Sequence, residues 1–280
     1  MSDRIDVKKT YKLFINGTFP RTESGRTYEI KNSKGTFIAN PCLASRKDLK
    51  DAVVAARAAQ AGWSKASAYN KGQILYRIAE MLEGRRGQFV DEIIAVTGVT
   101  KAKAEKEVTD SVDRLVWYAG WTDKLSSLSG ALNPVAGPYY NFTVPESMGV
   151  IAAIAPEAPS LLGLIDAIAP IIVGGNTVVL LASTKAPLSA MSFAEVIATS
   201  DVPNGVINIL TGKKEEIAPW IASHMDIDGL DISGLAPKSQ GDIRIAGAEN
   251  LKRIYSFKSA DPGRILAYLE NKTVWHPIGL

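Results

Sequence analysis

"GVIAAIAPEAPSLLGLIDAIAPIIVGGNTVVLLA", residues 149–182, decides the fold. The apolar run Gly149 to Ile154 is too short for a helix and is rich in strand-forming residues, so it reads as a buried strand. It runs into the Pro156-Glu157-Ala158-Pro159 corner, and an apolar helix is expected from Ser160 to Val173. Gly174 and Gly175 follow that helix and precede the next strand, "NTVVLLA", which makes them a helix C-cap rather than a phosphate loop. A strand running straight into a helix across a tight corner is the unit of an α/β protein, and such corners carry ligand chemistry.

The alternation continues downstream. A helix is expected over Ala186 to Thr199, a strand in "GVINIL", a helix over Lys214 to His224 and a strand in "DGLDIS". A helix over Gln240 to Ala248 and a strand in "LKRIYSF" complete the pattern. It predicts a parallel sheet with helices on both faces and right-handed crossovers. Upstream, "YKLFINGTFP" gives a strand and an Asn16-Gly17 turn with a second strand after it. Four helices follow. The first opens at Ser45, with Asp48 three residues on in near capping-box spacing, and carries Leu49, Val53, Ala56 and Ala59. The second spans Lys71 to Glu83. The third carries Phe89, Ile93 and Ile94 and stops at Gly98. The fourth carries Val108, Val112, Leu115 and Trp117, an aromatic stripe assigned to helix packing. "GPYYNFTVPESMG" reads as two antiparallel strands around a turn. "LENKTVWHPIGL" reads as one more strand beyond a Pro262-Gly263 break, suited to pairing with a hairpin or another subunit.

Composition narrows the function classes. The 280 residues are 46% hydrophobic and 22% charged, an ordinary globular profile with enough chain for a substantial core. A net charge of +3 is too small to argue for nucleic acid, and "GKKEE", residues 212–216, reads as a solvated face. The single cysteine, Cys42, excludes a disulfide framework and fits a reducing, cytoplasmic setting. The N-terminus has no apolar segment of the signal-peptide kind. The apolar stretch Met148 to Ala182 is broken by Glu157, Asp166, glycines and prolines, so it is a core and not a membrane span. Cys42 lies far in sequence from both histidines, and His224 and His276 are a poor zinc signature, so no metal site is expected. Glu157 is left as the one carboxylate at a functional corner, without a visible partner. It is either a chemical group or an acid favouring a helix N-terminus.

These blocks resemble the aldehyde dehydrogenase superfamily. "GVIAAIAPEAPSLLGLIDAIAPIIVGGNTVVLLASTKAPLSA" is similar to that family's core. So are "DVPNGVINILTG", "IASHMDIDGLDISG" and "NLKRIYSF", and "AARAAQAGWS" with "GQILYRIAEMLE" is similar to its first helices. The resemblance runs from Tyr11 to Gly279. It implies an α/β fold with a Rossmann-like parallel sheet, helices on both faces and a small antiparallel oligomerisation sheet. It also accounts for the missing GxGxxG, which this family's NAD(P) domain does not use. The implied division is 1–127 for an arm and helices of the NAD(P)-binding-type domain, 128–148 for an oligomerisation hairpin, 149–257 for the α/β core, and 258–280 for a linker and C-terminal oligomerisation strand.

The departures from the family carry the functional expectation. The family's Pro-Trp-Asn corner becomes Pro156, Glu157 and Ala158, which removes the oxyanion donor and sets a carboxylate beside its place. The Lys that holds the adenosine ribose is replaced by Leu181. The Gly-Ser/Thr-rich turn starts as Ser233-Gly234 but continues "LAPKS". Phe257 falls at the general-base Glu, and Ser259-Ala260 replace the glycines beside it. The domain bearing the nucleophilic Cys would follow here, and the closing "YLENKTVWHPIGL" resembles the family's final strand instead.

The resemblance therefore implies a catalytically inactive relative with no catalytic residues. It would be a structural or regulatory subunit assembling through residues near 128–149 and 266–280, with itself or with a full-length aldehyde dehydrogenase. Positions Ala155, Pro156, Glu157, Leu181, Ser183, Gly212, Ser233 and Gly234 fall where NAD or NADP would lie, with affinity weak or lost. The alternative is an NAD(P)-binding oxidoreductase component acting on aldehydes once a partner supplies the cysteine.

Overall fold

The computed structural model describes residues 9–279; the expectations that fall on the first residues of the arm and on Leu280 lie outside them. The chain opens with β1 (Ile30–Lys31) and β2 (Phe37–Ala39), then α1 (Arg46–Lys65), α2 (Ala68–Gly84), α3 (Arg86–Thr97), α4 (Lys101–Ala119) and α5 (Leu125–Ser129). Next come β3 (Ala131–Leu132) and β4 (Tyr139–Ser147). The alternating part is β5 (Val150–Ile154), α6 (Ser160–Val173), β6 (Thr177–Leu181), α7 (Leu188–Ile197), β7 (Ile207–Leu210), α8 (Lys214–Ser223), β8 (Gly229–Asp231), α9 (Pro237–Ala248) and β9 (Arg253–Tyr255). A short α10 (Gly263–Leu266) leads into β10 (Leu269–Pro277).

The five-stranded sheet is parallel, in the order β7-β6-β5-β8-β9. Its first three strands in this order, β7, β6 and β5, are divided by period-two alternation between two cores. Ile151, Ala153, Val178, Leu180, Ile207 and Ile209 face the cluster filled by α2, α3, α4, α6 and α7. Val150, Ala152, Ile154, Val179, Leu181 and Leu210 face the smaller cluster filled by α1, α8 and α9. Each such Val, Ile or Leu contributes about 1.5–3 kcal/mol of hydrophobic burial. The arm closes one edge: Phe14 exchanges backbone hydrogen bonds with Ile209, at 2.9 and 2.8 Å. The Asn16-Gly17 turn forms with both residues at positive φ, 52° and 71°, but the strand expected after it is reduced to a single Ile15–Thr18 bridge. Ser45 and Asp48 form a complete capping box at α1.

The expected two strands within "GPYYNFTVPESMG" are a correction. Tyr139 to Ser147 form one continuous strand, and the hairpin turn falls earlier, between β3 and β4. Pro145 suggested a break. However, β3 reaches only Phe142 and Thr143, so the second edge of β4 is free at Pro145, where a residue without an N–H costs no ladder bond. β10 pairs with the whole of β4, from Leu269 opposite Ser147 to Pro277 opposite Tyr139, giving a separate antiparallel sheet in the order β10-β4-β3.

Candidate functional site

The order of the parallel sheet reverses between β5 and β8. Ligands of open α/β sheets bind outside the carboxyl ends of the strands at such a switch point. β5 ends at Ile154 and turns through Ala155, Pro156 and Glu157 into α6. The turn is held because Gly163, on the first turns of α6, has no side chain: a Cβ there would stand 2.2 Å from Pro156 Cγ. The β8 turn lies directly on the β5 turn. Gly234 N–H donates to Ile154 O at 3.0 Å, and a Cβ on Gly234 would be 2.2 Å from Ala155 O. Only glycine allows this approach.

Glu157 has a partner that sequence reading missed. Lys214, the first residue of α8, reaches across the crevice with its side chain 7% exposed and places Nζ 2.7 Å from Glu157 Oε1. The same ammonium donates to Ala155 O at 2.6 Å and to Gly234 O at 3.0 Å, tying the β5 and β8 turns together. Glu157 Oε2 accepts from Ser183 Oγ at 2.8 Å and from the Lys185 N–H at 3.0 Å. Burial pushes the Glu157 carboxyl up. The Lys214 ammonium, the Lys185 amide and the Ser183 hydroxyl outweigh that and hold it below the usual range. Burial lowers the Lys214 amine, against the pull of Glu157.

Lys214 corrects the reading of "GKKEE" as a solvated face: Lys213 and Glu215 are exposed, Lys214 is buried. A signal existed. Lys214, Ile217, Ala218 and Ile221 fall at helical spacing on the buried stripe of α8.

The Glu157 carboxylate turns to Lys214 rather than to α6, so it is not the N-terminal acid of that helix. Another carboxylate is: Glu107 of α4 accepts the Leu161 N–H at 2.8 Å. Burial raises its pKa against the α6 amides that lower it.

The other expected positions divide. Ser183 joins Glu157. Gly212 O accepts from Thr184 Oγ1 at 2.8 Å, and a Cβ on Gly212 would stand 2.4 Å from Ile217 Cδ1. Leu181 is fully buried in the sheet among apolar neighbours and offers the crevice no polar atom. Ser233 is turned away: its Oγ donates to Asp231 and accepts the Phe257 N–H at 2.8 Å. Asp231 ends β8 and is paired in turn with Arg264 of α10 at 2.8 Å, both side chains buried. The Arg264 guanidinium lies 4.8 Å from the Phe257 ring centroid. Cys42 is buried among Leu13, Ile15 and Leu210. His224 Nδ1 accepts the Asp226 N–H at 3.2 Å. Among the described residues no three His, Cys, Asp or Glu side chains gather as a metal site, and no helix is long and apolar enough to cross a membrane.

A family model described as the aldehyde dehydrogenase family matches residues 19–256. The chain is 32% identical over 258 residues to the cytosolic 10-formyltetrahydrofolate dehydrogenase of Xenopus tropicalis, a match covering 90% of this chain and 28% of that protein. It is 33% identical over 255 residues to retinal dehydrogenase 2 of Gallus gallus, covering 89% of this chain and 48% of the relative. Among solved structures, an NAD+ complex of aldehyde dehydrogenase from Bacillus cereus superposes with a TM-score of 0.83 at 28% identity, covering 88% of this chain and 50% of that one. The chain thus spans half or less of the proteins it matches here.

Proposed function

The chain belongs to the aldehyde dehydrogenase family, and from that premise we propose that it acts as a non-catalytic subunit, assembling with itself or with a full-length relative. The observation that carries this reading is the sheet β10-β4-β3. It exposes apolar side chains on both faces: Tyr139 with Trp275, 58% accessible, on one, and Tyr140 with Leu132 on the other. Exposed aromatics of this kind suit a protein interface.

The crevice gives the complementary support. Ala158 has no donor for an oxyanion, Phe257 is stacked against Tyr255 where the family carries its base, and the one thiol is buried. The residues present do not fit a dinucleotide's pyrophosphate. Glu107 holds the α6 N-terminus, Glu157 holds the corner, α9 opens on Pro237 without an N–H, and Leu181 offers the ribose nothing. NAD or NADP binding is weak or lost on this reading.

The test is sedimentation of the full chain, alone and mixed with a full-length aldehyde dehydrogenase from the same cells, together with an NAD-dependent aldehyde turnover assay. The expected result is a mass above that of one chain and no turnover by the chain alone. A single-chain mass both alone and in the mixture, or turnover without a partner, overturns the reading.

A further inference from the structure

We infer that Lys214 is a latent phosphate-binding lysine that Glu157 holds out of service, so that the crevice excludes pyrophosphate ligands only while this ion pair is intact. The inference rests on the family reading for where a dinucleotide would lie; its own content is the pairing.

Three kinds of donor converge on the Glu157 carboxylate: the Lys214 ammonium at 2.7 Å, the Ser183 hydroxyl at 2.8 Å and the Lys185 backbone N–H at 3.0 Å. An ammonium, a hydroxyl and a free amide beside a helix start are the donor set that cradles phosphate oxygens elsewhere. Here an internal carboxylate uses all three, standing where an external anion would. The remaining Lys214 partners, Ala155 O and Gly234 O, are neutral, so Glu157 is the group that cancels the buried charge.

The space is open on the outer side. A cleft bounded by Tyr28, Ile30, Val96, Thr184 and Lys185 reaches Glu157 and Ala158, and Ala158 is exposed. Removing the carboxylate leaves a cation fixed by two carbonyls just behind the wall of that cleft, with Lys185 on its lining and the buried Ser183 hydroxyl still within reach of the Glu157 carbonyl at 3.2 Å. The mirror change, removing the amine, leaves an unpaired carboxylate there and repels anions.

The experiment is calorimetric titration of ADP, with adenosine as the phosphate-free control, into the wild-type chain, Glu157→Ala and Glu157→Ala/Lys214→Met. The single variant is expected to bind ADP at least about tenfold more tightly than the wild type, the double variant to lose that gain, and adenosine to bind none of them. Equal ADP affinity in the wild type and the folded single variant overturns the inference, as does a gain that survives in the double variant.

Should Glu157→Ala not fold, the same titration uses Glu157→Gln, which keeps the side chain's shape and removes its charge; ADP affinity equal to that of the wild type overturns the inference. Aldehyde turnover by the wild-type chain would sink the proposed function and leave the ADP comparison standing, so the two failures are distinct.

Discussion

The carboxyl end of the parallel sheet and the antiparallel sheet beside it have been built in opposite senses. At the crevice the polar groups around the corner meet neighbours: the Ser183 hydroxyl and the Lys185 amide meet Glu157, Glu157 meets Lys214, Ser233 meets Asp231, and Asp231 meets Arg264. On β10-β4-β3 large apolar groups stay uncovered: Tyr140 is 49% and Trp275 58% exposed, touching only neighbours of their own sheet. A relative that binds a cofactor needs unsatisfied donors at the first place, and a subunit that assembles needs uncovered aromatics at the second. On the proposed reading the chain meets the second requirement and not the first.

The comparison breaks first at Arg264. Arg264→Met leaves Asp231 buried without its cation, and chemical denaturation is expected to read a loss of about 3–5 kcal/mol. A loss below about 1 kcal/mol would mean the crevice edge does not depend on α10.

Lys214→Met comes next, with a loss of about 2–3 kcal/mol, because two carbonyls and a carboxylate lose their donor together. Its pH dependence has a definite sign. Glu157 is held below its ordinary value in the folded chain, so its pairing stabilises above the unfolded carboxyl pKa and is lost as pH falls through the lower folded value. The gap between wild type and variant should therefore narrow on acidification below about pH 4.5. A gap independent of pH would remove the ion pair from the account.

On the other sheet the expected stability effects are small. Trp275→Ser costs about 1 kcal/mol, chiefly its edge contact with Tyr139 at 5.7 Å between centroids, yet it should lower the assembled mass seen by light scattering. Lys272→Ala, which removes an exposed pair with Glu146, should change stability by less than about 0.5 kcal/mol. If Trp275→Ser unfolds the chain instead of dissociating it, the antiparallel sheet is as much a part of the folded core as the crevice is.

The alternating part was legible because its punctuation is local. Pro159 before and Gly174 after gave α6 its limits at Ser160 and Val173, and unbroken apolar runs marked β5 and β6. The hairpin was misread because proline has meaning only once its neighbours are known: the edge beside Pro145 is unpaired, which no short-range signal states. The crevice was half legible. Glu157 stood out by its place, but its partner lies far along the chain inside a charge-rich stretch, and only the phase of Lys214 with Ile217, Ala218 and Ile221 separates it from Lys213. Glu107 and Arg264 carry no such mark; their roles exist only after α4 and α10 have docked.

The pairing of β4 with β10 also sets a schedule during synthesis. Thr143 and Thr273, which face each other across the two strands, are 130 positions apart. At translation rates of about 5–20 residues per second, β4 with its aromatic side chains waits on the order of 10 s for the strand that covers its longer edge. Throughout that interval a partner already folded can reach the bare strand before β10 does.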